Sequence, residues 1–115
     1  MTLRQGEEKH WEKLKRVAGM RAFYRRGKEA VEMILVPGKG GNDVLGFGGE
    51  PLQDESKSFL LGVADLRNFF PPQENDVIQY HGDGQRWKVR KNANGSFHTE
   101  SGNYGVMIRV HAVRR

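Results

Sequence analysis

Cysteine is absent from this chain of 115 residues. Its absence removes disulfides, thiolate metal sites and cysteine nucleophiles together, and fits a reducing compartment. Long apolar runs are missing as well: nothing approaches the roughly 20 consecutive residues that a membrane helix needs. The first residues are polar and charged, so no secretory signal is expected there, and the expected setting is a cytosol. Apolar residues are 37% of the chain and charged residues 29%, which allows a modest core beneath a well-solvated surface. A chain of this length reads as one domain and can bury about two-thirds of its extended surface.

Uncompensated charge is missing from most of the chain. Residues 1–29 hold nine basic and four acidic side chains, whereas ten of each cancel from Ala30 onward, so the net +5 sits in the first quarter. This reads as a basic appendage on a neutral body, suited to something acidic. Within residues 7–18, Trp11, Leu14 and Ala18 recur at helical spacing with Val17 beside them. Glu7 and Glu8 near the start, Lys15 and Arg16 near the end, and Gly19 as a stop complete a helix signal. The apolar stripe is narrow, and an isolated helix of this length is marginal in water, so it must dock or fray. Trp11 could pack on its own domain or on another subunit.

From there the pattern turns to strands. Residues 22–24 are short and aromatic, 25–28 could turn, and 29–36 carry Val31, Met33, Ile34, Leu35 and Val36. Pro37-Gly38-Lys39-Gly40-Gly41 and Phe47-Gly48-Gly49-Glu50-Pro51 then break structure, so a long loop is expected at about 38–57. Residues 58–63, 76–80 and 85–89 read as strands, with a short one at 96–99. In 106–113, Val106, Ile108, Val110 and Ala112 alternate with Met107, Arg109, His111 and Val113. His81-Gly82-Asp83-Gly84 has hairpin-turn composition, and Pro71-Pro72 forbids a helix running into the strand that follows. The expected fold is mainly β: a small barrel or sandwich of five to six short strands. Residues 1–28 would form the helical or flexible arm and 29–115 the barrel domain.

Catalytic chemistry is hard to find. The glycines around Lys39 lack the serine or threonine and the following helix that a phosphate-binding loop needs. His10, His81, His98 and His111 share no metal-ligand spacing. Glu74 and Asp76 precede a strand, where aspartate commonly fixes a turn. No nucleophile has a base in motif context, so no catalytic, metal or cofactor residue is assigned. Arg86, Lys88 and Arg90 share one face of a strand and Trp87 and Val89 the other. That makes Trp87 a core residue beneath a solvated basic face.

The second half resembles a known family. A strand ending near Val63, then Ala64-Asp65-Leu66, a proline followed by polar residues and Asp76-Val77-Ile78 opening a strand, Trp87-Lys88-Val89 and an alternating last strand are similar to small phage head–tail joining proteins. These are the connector or stopper proteins of long-tailed, lambda-like phages. The likeness runs over roughly residues 58–113. Asp65, Leu66 and Arg67 match its acidic–aliphatic–basic step, and Asn75 stands where relatives often have glycine, a mild departure because asparagine tolerates left-handed geometry.

The resemblance implies a structural barrel that joins a ring at the head portal, with portal or adaptor and tail-end proteins as partners and no cofactor. It would be a monomer in isolation, assembled in the host cytoplasm and then held in the virion neck. On that reading the arm and long loop make the contacts, through Trp11, Leu14, Arg16, Arg25, Arg26, Lys39, Asn42, Asp43 and Leu45. The arm could equally face packaged DNA or an acidic portal rim. The alternative from another class is a nucleic-acid-binding barrel gripping phosphates with its basic arm, helped by Arg86, Lys88 and Arg90.

Overall fold

The computed structural model describes residues 2–40, 55–92 and 94–114. Helix α1 (Leu3–Ala18) leads into strands β1 (Met20–Arg26), β2 (Glu29–Gly40) and β3 (Glu55–Gly62). A single-turn helix α2 (Val63–Leu66) and a 3₁₀ turn (Arg67–Phe69) follow. The chain ends in β4 (Val77–Tyr80), β5 (Arg86–Arg90), β6 (Thr99–Ser101) and β7 (Met107–Arg114). The antiparallel sheet runs β3-β2-β1-β4-β5-β7-β6, and a further β3–β7 pairing closes six of these strands into a barrel. Among the described strands closure leaves the short β6 outside the ring, on the first half of β7 while β5 takes the second. The mainly β expectation holds.

Helix α1 starts four residues earlier than its apolar spacing suggests. Thr2 is the N-cap: its Oγ1 accepts from the Gln5 backbone N–H at 3.1 Å, and Gln5 Oε1 accepts from the Thr2 N–H at 2.9 Å. This reciprocal pair satisfies two amide groups that would otherwise be unpartnered. The first turn therefore carries no acidic residue, while Lys15 and Arg16 do occupy the last. Gly19 ends the helix in extended backbone at φ −76°. Its lack of a side chain matters for space, because a Cβ there would run into the Lys15 carbonyl and the Ile34 side chain.

The expected turn at 25–28 shrinks to Gly27 and Lys28, with Gly27 at φ +60°. Arg26 still pairs with Glu29, so β1 spans seven residues instead of three and joins β2 on one side and β4 on the other. Residues 20–26 are thus barrel wall, and the basic first quarter is divided between a helix and a strand. The expected loop is likewise entered by strand at both ends, at residues 38–40 and 55–57. The β4–β5 hairpin forms as anticipated: Gln85 N–H bonds Asp83 Oδ1 at 3.0 Å, and Gly84 turns at φ +74°. Asn75 adopts φ +71°, the left-handed geometry anticipated for it. The short strand expected at 96–99 appears instead at Thr99–Ser101.

Alternation builds the core. Tyr24, Leu35, Phe59, Leu61, Ile78, Trp87, Val89, Ile108 and Val110 point inward and are buried, with Leu66 of α2 joining them. Trp87 meets Phe59 at 5.7 Å between ring centroids in an edge-on contact. It is a core residue, as its parity with Val89 requires.

Candidate functional site

The outside of the barrel presents two different surfaces. On one, α1 covers outward apolar residues. Trp11 is 4% exposed and packs with Val36 of β2 and Met107 of β7, flanked by Leu14, Leu60 and Val106. Gly62 makes room for the indole: a Cβ there would lie 2.6 Å from both Trp11 Nε1 and Asp65 Oδ2. Lys15 Nζ reaches Glu12 at 3.0 Å and Asp65 at 3.4 Å while standing 5.5 Å from the Trp11 ring centre. Partial burial lowers the Lys15 pKa, but its bonds and attraction to Glu12 and Asp65 outweigh that and leave it raised. At the other end of the helix Glu7 accepts from the Asn103 backbone N–H at 3.3 Å. Polar ties at both ends therefore frame one aromatic anchor.

A buried clamp ties β1 to the segment entering β4. Asp76 is fully buried. Its Oδ1 accepts from Arg26 Nε at 2.8 Å, and its Oδ2 accepts from Tyr24 OH at 2.6 Å, Arg26 Nη2 at 2.9 Å and the Gln73 N–H at 2.8 Å. Arg26 Nη2 also donates to the carbonyls of Phe69 at 2.8 Å and Pro71 at 3.0 Å. The neighbouring Tyr24 phenol has its pKa pushed far up, first by burial and then by its bond to the Asp76 carboxylate, so it remains a donor. Asp76 does bond its own turn, as expected, but its main partners lie about fifty residues away in sequence. Glu74 and His81 are not among them. His81 instead stacks on Phe23 at 5.6 Å.

The second outer surface is left bare by the described residues. Arg86, Lys88 and Arg90 are exposed along β5 with Trp87 and Val89 buried beneath. The register adds Arg25 of β1, with Val77 between it and Lys88, and sets His111 of β7 against Arg90. Exposed Arg109 lies two residues before His111 on the same outward face. Among the described residues, Arg25, Arg86, Lys88, Arg90 and Arg109 have no ion-pair partner. Of the nearby carboxylates, Glu32 is bonded to Arg21 at 2.9 Å. Glu74 stands with Lys88, Arg90 and Lys91 around a shallow cleft.

The anticipated contact residues separate accordingly. Trp11 and half-buried Leu14 are turned onto the chain's own barrel. Arg26, expected at an interface, is the internal clamp. Arg16 is exposed on α1 and Arg25 half-buried on the bare wall. Lys39 belongs to the end of β2. Asn42, Asp43 and Leu45 lie outside the described residues. Among the described residues there is no group of three or more His, Asp or Glu able to hold a metal, and no helix is long and apolar enough to cross a membrane. The exposed parity of β5 was legible in the sequence, but its neighbours in space were not.

A family model described as phage head–tail joining protein matches residues 1–115, the whole chain. The match extends well beyond the 58–113 span of the sequence resemblance and includes α1 and the first barrel strands. No curated protein matches the chain.

Proposed function

Because the chain belongs to the phage head–tail joining protein family, we propose that it is a ring subunit of the virion neck, seated between the portal side of the DNA-filled head and the tail. The whole-length family match carries this reading. Membership makes the protein a structural component of the virion, and the role proposed for it is attachment rather than turnover.

The barrel suits that work in two ways. A closed sheet has few free edges through which copies could stack without limit, so contacts must come from side-chain surfaces and connecting segments. The closed wall also offers a helix-covered side and a bare side, so one subunit can face two different neighbours. Ring formation in turn requires two unlike patches meeting head to tail, with a rotation that closes.

The proposal expects a monomer in dilute solution and an oligomer on the head. Sedimentation of the purified chain alone, and then with DNA-filled heads lacking this protein, tests both. Co-sedimentation with heads at a fixed multiple of the portal supports the ring; failure to bind either heads or tails removes it. The nucleic-acid-binding alternative, with the basic arm as its grip, is not favoured by the family. The arm itself is a helix docked through Trp11.

A further inference from the structure

We propose that the bare wall formed by β1, β4, β5 and β7 is a site for the phosphate backbone of double-stranded DNA, held by Arg86, Lys88 and Arg90 with Arg25 and Arg109 alongside. The inference deepens the joining reading, on which it relies only for the origin of that DNA, the end of the packaged genome at the neck.

Residues two apart on an antiparallel strand point the same way and stand about 7 Å apart. Arg86, Lys88 and Arg90 therefore form a straight file of three long cations, all exposed. Arg25 lies two strands from Lys88 in the same cross-strand row, separated from it by Val77. His111 lies directly beside Arg90. The file has no ion pair among the described residues, and Glu74 is the one carboxylate lining the cleft beside Lys88 and Arg90. Cations held at this density repel one another, which raises the value of any polyanion that covers them.

The same wall is a poor seat for a protein. Protein interfaces concentrate their energy in a desolvated centre that is depleted of charge and anchored by aromatic residues. Here the centre of the face is charged, and the strand's one aromatic, Trp87, is 2% exposed and points inward. That inward tryptophan also separates duplex from single strand. Single-strand binding relies on aromatic rings against which bases stack, whereas Phe23, the outward aromatic of β1, is half-buried and already stacked by His81. Phe97, which lines a cleft with Lys88 and Arg90, is half-buried and has Lys91 Nζ over its ring at 5.6 Å, so the file of cations suits the outside of a duplex, read without sequence preference.

Helix α1 provides the internal control. It also carries three exposed cations, Lys9, Lys13 and Arg16, which have no ion pair among the described residues. They lie on the helix face turned away from Trp11.

The test is fluorescence anisotropy of the purified full chain with a labelled DNA duplex across a salt series. Two variants are compared with it: R86Q/K88Q/R90Q on the wall and K9Q/K13Q/R16Q on the helix. The unmodified chain should bind, with log affinity falling linearly in log salt. The wall variant should bind more weakly and lose about 2.7 from the magnitude of that slope, three contacts at about 0.9 each. The helix variant should keep the slope, and R86K/R90K, which preserves charge, should keep most of it. Absence of binding at low salt overturns the site, as does a slope lost only in the helix variant. Head–tail joining by the unmodified chain is measured separately. Joining without DNA binding would sink this inference alone, and DNA binding without joining would sink the neck reading alone.

Discussion

Strand β7 passes from one kind of surface to another within a few residues. At Met107 its outward side chain is buried beneath α1, while at Arg109 and His111 the outward side chains stand in solvent. From Met107 to His111 the same parity is apolar where the chain covers itself and basic or imidazole where it does not. Val36 shows the rule on β2, where it is buried with Trp11 while Glu32, four residues earlier on the same outward side, is exposed. The outward residues of a closed barrel thus mark which parts of the wall are finished by the chain and which are left for something else.

Both surfaces depend on the clamp inside, so the largest effect should follow from cutting it. Asp76→Ala leaves the Arg26 guanidinium without its carboxylate and is expected to cost about 3–5 kcal/mol, seen as a much lower denaturation midpoint or an unfolded chain. Tyr24→Phe removes one charge-assisted hydrogen bond and should cost about 1.5–3 kcal/mol. Only the covered side should respond to Trp11→Ala, at about 3 kcal/mol. Helical circular dichroism should fall while the fluorescence of Trp87 still reports a folded barrel. Loss of both signals would show that α1 is integral to the barrel rather than docked on it. Gly62→Ala should act in the same direction through a smaller step, about 1–3 kcal/mol, by forcing a methyl group against the Trp11 indole.

Alkali should weaken the interior. Burial raises the pKa of both Tyr24 and Tyr80 above the ordinary 10.0. Their protonated forms are favoured in the fold, so that contribution is complete below about pH 10 and declines as pH rises above it. Denaturant midpoints should fall from that pH upward, and phenolate absorbance should show tyrosines that ionise only on unfolding. The smallest effect belongs to the bare side: R86Q/K88Q/R90Q should shift stability by no more than about 0.5 kcal/mol. A larger loss would mean that these cations support the fold and the wall is not free.

The asymmetry was only half visible in the sequence, for a physical reason. Period-2 alternation is local, so the inward parity of Trp87 and Val89 and the alternation in the last strand could be read directly. The Pro-rich entry to β4 and the Gly-Asp hairpin turn were legible because backbone chemistry dictates them. The Thr2–Gln5 capping box was also written in the chain, and it places the start of α1 where apolar spacing cannot. Arg26 and Asp76 are fifty residues apart, and nothing local distinguishes a clamp arginine from a surface one. Arg26 therefore read as an interface residue, and β1 as part of the arm. Trp11 was ambiguous because its socket is assembled from Val36 of β2 and Met107 of β7, far along the chain. Met107 itself occupied the polar side of an alternating strand, where only the arrival of α1 explains an apolar residue.

The most direct test is reconstitution: purified protein is added to DNA-filled heads that lack it together with separately prepared tails, and joined particles are counted by electron microscopy. The account predicts that the chain restores joined particles, with yield saturating as protein is added. Heads and tails that remain separate at every protein concentration, although each partner is competent with a known joining extract, would contradict it.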